Sequence, residues 1–153
     1  MNRSVVIIYL GDFFFDARII NMSLSLINSG YNVSIVSTDK KSYTSSQFKT
    51  VQFYFIKLTN NNFMKYFEFI RKSRKILSNK SYNIIISGDL YSLASAVFTK
   101  KRGQLIYDSR EIYTKLSAHE QKHFIRCCLS IYEKFLLKYV DNVLVTADSD
   151  LQY

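Results

Sequence analysis

The sequence predicts an α/β domain of the Rossmann-like kind, in which helices cover both faces of a mainly parallel sheet of about six strands. Apolar runs rich in Val and Ile alternate along the chain with segments of helical periodicity, which is typical of strand–helix–strand units. Several of these runs are almost continuously apolar, as parallel strands covered on both faces are. Proline is absent and glycine occurs only four times, which leaves too few turn-formers for a β-sandwich.

Strands are expected where the apolar runs are richest in β-branched and aromatic residues. Such runs occur at 3–10, 32–38, 51–58, 82–88, 104–108 and 142–147. The helical periodicity between them predicts helices at 16–29, 63–78, 90–102 and 119–139. Gly30 and Gly103 each follow a predicted helix. Because a left-handed residue is favoured directly after a helix, both glycines are expected to adopt that conformation.

The length of the chain indicates how many domains it forms, and its charge indicates which kinds of partner it favours. A chain of 153 residues suits a single domain, so residues 1–153 are taken as one unit. The opening apolar run, VVIIYL, is far shorter than the ~18 residues of a membrane span, and a cytoplasmic location is expected. Lys and Arg number 21 against 12 Asp and Glu, a formal charge of +9 that favours anionic partners. Nucleic acid is not expected among them, because no recognition module accompanies the charge.

The motif HEQKH, at residues 119–123, has the spacing of a zinc-peptidase helix. A catalytic zinc needs a third protein ligand, and the sequence has no further histidine. On a helical wheel His119 and His123 fall opposite the apolar stripe of the predicted helix, on its solvent side, so no metal site is expected. The residues of that stripe are Phe124, Cys128, Ile131, Tyr132, Phe135 and Tyr139.

No cofactor is expected either. After the first strand the sequence reads GDFFFDAR, with one glycine where a dinucleotide-binding loop has three, and a Walker lysine loop is absent. The adjacent Cys127 and Cys128 would point about 100° apart on a helix, which disfavours a disulfide between them. They are expected to be two buried thiols in a reducing compartment.

Acidic residues collect where the predicted strands end. In a parallel sheet these ends share one edge, and a crevice opens there if the first and fourth strands lie side by side. Carboxylates at such an edge suit hydroxyl-rich ligands such as sugars, and neighbouring arginines suit phosphate. The structural alternative is that these residues cap helices and solvate loops. The predicted rim comprises Gly11, Asp16, Arg18, Gly88, Asp89, Asp108, Arg110 and Glu111.

The segment FMKYFEFIRKSRKILSNK, residues 63–80, combines aromatic and basic side chains. Helical spacing places Phe63, Tyr66, Phe67 and Ile70 on one face. Packing of this face on the sheet is the ordinary expectation. Attraction to an anionic membrane interface is the alternative, because such interfaces bind helices of this composition.

Three segments, taken in order, resemble the N-terminal domain of glycosyltransferases of the GT-B fold, of the family-4 type. DARIINMSLSLINSGYNVSIVS (16–37) is similar to the opening helix and second strand of that domain. YNIIISGDLYSLASAVFTKKRGQLIYDSREIY (82–113) is similar to its later part, and YVDNVLVTADS (139–149) to the strand that follows. The sequence departs from the family at Arg110, where relatives usually have histidine, and at Gly88, where they often have one.

The resemblance implies the N-terminal, acceptor-side half of a GT-B enzyme of the retaining class. Such an enzyme moves a hexose from a nucleotide sugar to an acceptor hydroxyl, in a cleft between two domains and usually without an essential metal. The donor-binding domain has no counterpart in residues 1–153, so the chain is expected to be inactive alone and to meet the nucleotide-sugar donor through a missing C-terminal domain or a partner chain. The acceptor would be a sugar or a lipid-linked molecule.

Two other functions remain open from the sequence. One is a non-catalytic module that recruits a partner or binds an anionic membrane surface. The other is a nucleotide-binding α/β domain unrelated to glycosyltransferases.

Overall fold

A computed structural model describes residues 3–38, 48–109 and 123–145, with the side chains of 123–126 excepted. Its strands are β1 (Ser4–Ile8), β2 (Asn32–Ser37), β3 (Gln52–Phe55), β4 (Ile84–Ser87), β5 (Gln104–Ser109) and β6 (Asn142–Val145). Its helices are α1 (Ala17–Asn28), α2 (Met64–Leu77), α3 (Leu90–Thr99) and α4 (His123–Leu137), with a 3-10 turn at Phe13–Phe15. The predicted alternation of strands and helices is confirmed.

The six strands form one parallel sheet in the order β3-β2-β1-β4-β5-β6. The order reverses between β1 and β4, whose register runs from Val5 opposite Ile84 to Ile8 opposite Ser87. The expectation that these two strands are adjacent is confirmed. Loops that leave the carboxyl ends of such a pair diverge to opposite faces of the sheet and open a crevice between them.

Helices cover both faces of the sheet, because successive side chains of a strand point to opposite sides. Val5 and Ile7 of β1 pack with Ile19 of α1 on one face. Val6 and Ile8 lie on the other face, in a cluster that includes residues of α2 and α3. A third cluster joins α3, β5 and α4. The predicted three-layer Rossmann-like architecture is therefore confirmed. Within the described ranges, no helix is both long and apolar enough to cross a bilayer.

Helix α1 ends just before Gly30, which adopts the left-handed conformation that the sequence predicts. Gly30 has a φ of 78°, a conformation that costs glycine little. Its N–H donates to the carbonyl of Ile27 at 2.9 Å, and the N–H of Tyr31 donates to the carbonyl of Leu26 at 3.0 Å. These two bonds form a Schellman motif, which satisfies carbonyls that the helix end leaves open.

The expectation of a left-handed Gly103 is wrong. Gly30 is the one glycine in the described ranges with a positive φ. Gly103 is instead required by a close approach, since an added Cβ would lie 2.2 Å from the carbonyl oxygen of Tyr82 and 2.8 Å from that of Asn83. The chain enters β5 directly against the backbone that precedes β4, and a side chain does not fit there.

Most described residues of the predicted apolar stripe of α4 are exposed, so the prediction that this side of the helix packs on the domain is wrong. Ile131 is 63% exposed and Phe135 54% exposed, whereas Leu136 is buried and Tyr132 packs beside it against α3 and β5. The helix has apolar residues on more than one side, so a wheel centred on the aromatic residues chose the wrong one. Val143 on β6 is also exposed, which leaves this side of the domain apolar.

The expectation of buried thiols is wrong as well. Cys127 and Cys128 are free and exposed. His119 and the side chain of His123 lie outside the described residues, so the solvent-facing position predicted for them stays a prediction.

Candidate functional site

Asp89 binds the two strands of the crevice together at its floor. It directly follows Gly88 at the end of β4, and its side chain is almost fully buried. One carboxylate oxygen accepts the N–H of Ser92 at 2.7 Å and so caps α3. The other accepts the N–H of Leu10, just beyond β1, at 2.8 Å. A single carboxylate therefore fixes the separation of the two loops that flank the crevice.

Two buried serines extend this network, and sequence reasoning missed both. The hydroxyl of Ser87 donates to the carbonyl of Asp89 at 2.9 Å and lies 2.9 Å from the hydroxyl of Ser92. The Ser92 hydroxyl also lies 2.9 Å from the carbonyl of Ile8. The sequence signal is the S-x-D-x-x-S spacing at the end of an apolar run, which suits a helix cap with its supporting hydroxyls.

Arg18 and Asp108 form an ion pair across the same edge. The Nε of Arg18 on α1 donates to Oδ2 of Asp108 on β5 at 2.9 Å, and its Nη2 donates to Oδ1. Asp108 is fully buried and the Arg18 side chain is 34% exposed. Such a two-point contact of guanidinium and carboxylate is directional and strong. Arg18 was predicted as a phosphate contact, and here its guanidinium neutralises a buried carboxylate.

Tyr9 covers the two glycines of the crevice. An added Cβ on Gly11 would lie 2.4 Å from the Tyr9 ring. An added Cβ on Gly88 would lie 2.8 Å from Cδ1 of Ile19 and 3.3 Å from the same ring. The aromatic ring thus packs directly over the backbone of both glycines. An aromatic residue two positions before a glycine at a strand end is the signal that could have identified Tyr9.

Asp16 is the remaining predicted rim residue within the described ranges. Asp16 accepts the N–H of Ile19 at 2.9 Å and caps α1, as the structural alternative expected. Arg110 and Glu111 lie outside the described residues. The described members of the rim, which follow β1 or β4 or lie at the end of β5, are Gly11, Asp16, Arg18, Gly88, Asp89 and Asp108.

An apolar groove of about 470 Å³ lies beside the crevice, between α2, α3 and α4. The predicted aromatic face of α2 lines it, and the expectation that this face packs on the sheet is wrong. The sheet-facing side of α2 consists of Phe69, Ser73 and Leu77, and Ser73 bonds to Ser95 of α3 at 2.9 Å. The groove is lined from α2 by Phe63, Tyr66, Phe67 and Ile70.

The opposite walls of the groove connect it with the crevice. Tyr91 of α3 stacks on Tyr66 with ring centroids 4.6 Å apart, and it follows Asp89 by two residues. Tyr132 of α4 also lines the groove. Burial, reinforced by the nearby Asp89 carboxylate, raises the pKa of Tyr132 to about 12. The groove and the crevice are therefore neighbours at the carboxyl edge of the sheet.

Glu68 of α2 fixes the loop that precedes the groove. Its carboxylate accepts the backbone N–H groups of Thr59 and Asn60, each at 3.1 Å, and the Thr59 hydroxyl at 2.9 Å. Lys72 lies 2.7 Å away, one helical turn on. The contact with Lys72 and these hydrogen bonds hold the pKa of Glu68 well below its ordinary 4.5.

Glu68→Gln is expected to destabilise the protein at pH 7 and to do so less at acid pH. A depressed pKa contributes stability above the unfolded value near 4.5 and loses it as the pH falls toward the folded value. Urea unfolding at pH 7 and pH 3.5 measures the difference between variant and parent at each pH. Glu133→Gln is the control of opposite sign, because burial raises the pKa of Glu133. A Glu68→Gln loss that is unchanged at pH 3.5 would contradict the assignment.

The fold is that of known glycosyltransferase structures. The chain is similar to the sucrose-phosphate synthase of Thermosynechococcus elongatus, with a TM-score of 0.67 at 15% identity over 99% of this chain and 44% of that one. It is similar to Phytolacca americana UGT2 in its apo form, with a TM-score of 0.63 at 9% identity over 97% of this chain and 47% of that one. It is also similar to the lipopolysaccharide outer core galactosyltransferase WaaB, with a TM-score of 0.58 at 11% identity over 92% of this chain and 38% of that one.

These likenesses establish the fold. No family model matches the sequence, and no curated protein matches it significantly. The chain spans less than half the length of each of the three structures. The fold implied by the sequence resemblance is confirmed: this chain is a Rossmann-like α/β domain, and it shares this fold with three structures of GT-B glycosyltransferases.

Proposed function

We propose that this chain is the N-terminal, acceptor-side domain of a retaining GT-B glycosyltransferase, which transfers a hexose from a nucleotide sugar to an acceptor hydroxyl. The observation that carries the proposal is the crevice between β1 and β4, where the order of a fully parallel sheet reverses, in a chain with the fold of three glycosyltransferase structures. The donor would be held by a second domain or a partner chain.

In the proposed reaction the acceptor oxygen forms a bond to the anomeric carbon of the hexose. The bond from that carbon to the nucleotide phosphate breaks, and the hydroxyl proton is released. Positioning the acceptor oxygen against the donor carbon is the part assigned to this chain, and well-oriented reactants can gain about 7–11 kcal/mol of the barrier in this way.

Rigid support of the crevice is the contribution that the described residues make to such positioning. The Asp89 carboxylate bridges Leu10 and Ser92, and the ion pair of Arg18 and Asp108 joins α1 to β5. Since these polar groups bind one another, they act as positioning residues. The surface left for an acceptor includes the Tyr9 ring, which packs over Gly11 and Gly88.

Glu111 and Arg110 are proposed as the direct contacts, on the strength of the sequence resemblance. Glu111 would accept hydrogen bonds from acceptor hydroxyls. Arg110, which replaces the family's histidine, would contact a phosphate or the partner domain. In an enzyme made by joining this chain to its donor half, Glu111→Ala is expected to lower kcat/KM about 10- to 100-fold, the loss of one charged hydrogen bond. Arg110→His is expected to retain activity.

A test on the chain as it stands separates this proposal from a nucleotide-binding domain. Calorimetry with UDP-glucose is expected to give a Kd no tighter than about 1 mM, and no sugar transfer is expected without a donor half. Micromolar affinity for the nucleotide sugar would contradict an acceptor-side role and would favour the nucleotide-binding alternative.

A non-catalytic module at a membrane surface is the second candidate. It is favoured by Phe63, Met64 and Phe67, which are exposed at the start of a helix rich in basic residues. Such a module would act at the cytoplasmic face of the membrane. The joined enzyme distinguishes the two functions, because a module would leave the donor half without transferase activity.

A further inference from the structure

We infer that the apolar groove between α2, α3 and α4 binds the hydrocarbon chain of an amphiphile with an anionic head group. If the proposed function is correct, this amphiphile is the acceptor, and its class is that of lipid-linked phosphates. The inference that the groove binds a hydrocarbon chain does not itself depend on the proposed function.

The lining of the groove selects a hydrocarbon. Its volume of about 470 Å³ lies within the ~300–1,000 Å³ range of small-molecule sites. The stacked rings of Tyr66 and Tyr91 form one side, and Leu129 and Ile70 add aliphatic surface. A sugar or a nucleotide would lose hydrogen bonds with water on entering such a space and would recover few, whereas an alkyl chain has none to lose.

The size of the groove disfavours a peptide helix as its occupant. A helix about 10 Å in diameter and 5.4 Å per turn occupies roughly 400 Å³ per turn, so the groove would hold about one turn. Helix-in-groove recognition uses anchors spread over at least two turns. A single slender chain fills the same volume along its length.

The surroundings of the groove select an anionic head group. Helix α2 carries five basic residues and one acidic residue, and the acidic one, Glu68, is already paired with Lys72. Lys65 lies over the ring of Tyr66, with its Nζ 5.1 Å from the centroid. Exposed Arg71 follows Phe67 by one turn and so shares its side of the helix. Cations thus stand beside an apolar entrance.

The entrance is open to solvent. Phe63 is 70% exposed and Phe67 is 56% exposed, and both line the groove. An aromatic pair that protrudes beside cations can receive an amphiphile from a membrane or a micelle. Because Tyr91 lies two residues from Asp89, a chain seated in the groove would leave its head group near the crevice where transfer is proposed.

Two adjacent cysteines provide the experiment. Cys128 lines the groove, and Cys127, also exposed, does not. In a Cys127→Ser variant, the rate of maleimide alkylation reports on Cys128, and in a Cys128→Ser variant it reports on Cys127. Alkyl phosphates of four to twelve carbons, used below their micelle concentrations, are the probes.

The alkyl phosphate concentration that halves the alkylation rate of Cys128 is expected to fall about fourfold for each added methylene, until the groove is full. Cys127 is expected to change less than twofold. Equal protection of both cysteines, or no dependence on chain length, would overturn the inference. Binding to anionic vesicles without protection by monomeric dodecyl phosphate would overturn it too, in favour of a surface that only adsorbs to membranes.

A matched pair of phenylalanines tests the location. Phe67→Ser is expected to weaken dodecyl phosphate binding at least tenfold. Phe98→Ser is the control, since Phe98 is also 56% exposed but lies outside the groove, under Arg74 at 5.6 Å. Equal effects of the two substitutions would count against the groove.

The role as acceptor site is tested separately. If Cys128 is protected but the joined enzyme transfers sugar equally well to short and long alkyl acceptors, the groove binds hydrocarbon and the link to the proposed function fails. If the joined enzyme is active only on water-soluble acceptors and Cys128 is not protected, the groove inference fails while the proposed function stands.

Discussion

Arg18→Ala is expected to lower the free energy of unfolding by about 3 kcal/mol. The substitution removes the guanidinium that contacts both oxygens of Asp108, whose side chain is fully buried. Breaking a buried pair by removing one partner typically costs about 3–5 kcal/mol, and the lower end applies because Arg18 is itself partly exposed to water. Urea unfolding followed by circular dichroism measures the loss.

The exposed Arg102 offers the matched control. Arg102→Ala is expected to change the free energy of unfolding by no more than about 0.5 kcal/mol, as surface substitutions do. The double variant Arg18→Ala, Asp108→Ala is expected to recover part of the loss, since it leaves no buried charge. A loss from Arg18→Ala as small as that from Arg102→Ala would mean that the pair adds nothing to stability.

Gly103→Ala is expected to destabilise the protein by about 3 kcal/mol, the upper range for overpacking a tight site. The added methyl group would lie 2.2 Å from the carbonyl oxygen of Tyr82, which is backbone and has to shift together with the segment that precedes β4. Thermal unfolding is the measurement, and the loss is expected as a lower midpoint with the same cooperativity.

Gly30→Ala separates steric overlap from backbone conformation. An added Cβ at Gly30 meets no atom within 4 Å, but the residue has a φ of 78°. Only the conformational cost of about 1–2 kcal/mol is expected there. If Gly30→Ala cost more than Gly103→Ala, the close approach at β5 would not be what requires a glycine.

The fold was predictable because the sequence repeats one kind of unit. The run RSVVIIYL was predicted as a strand at 3–10, and β1 occupies Ser4–Ile8 within it. A strand that is buried on both faces is apolar at nearly every position, whereas a strand with one solvent-exposed face alternates apolar and polar residues. The adjacency of β1 and β4 followed from the way parallel sheets reverse their order around a ligand crevice.

The positions of the rim residues were predictable, and their partners were not. The end of each strand locates Asp89 and Asp108 at one edge of the sheet. Whether a carboxylate there binds a ligand or another part of the chain depends on groups far away in sequence. Arg18 and Asp108 are 90 residues apart, and no local pattern connects them. The Tyr9 ring also packs over Gly88, which belongs to another loop, and its local signal, an aromatic residue near a glycine at a strand end, was overlooked.

Helix α4 illustrates a different limit. A helical wheel identifies an apolar side when there is one, but residues of α4 are apolar around most of its circumference. The side that packs is set by what lies next to it, here α3 and β5, which contact Leu136. The exposed remainder, including Ile131, could not be distinguished from the core on sequence grounds.

The crevice has a consequence for how the protein folds. Its closing contacts join residues far apart in the chain: Leu10 bonds to Asp89 across 79 positions, and Ile8 bonds to Ser92 across 84. Loops of that length close late, because their ordering entropy is lost before any contact compensates for it. Neither half of the chain can form the crevice alone, since each contributes one wall. Any ligand that binds between β1 and β4 therefore binds only molecules whose central strand pair has formed, and it opposes global unfolding as directly as it opposes the opening of the site.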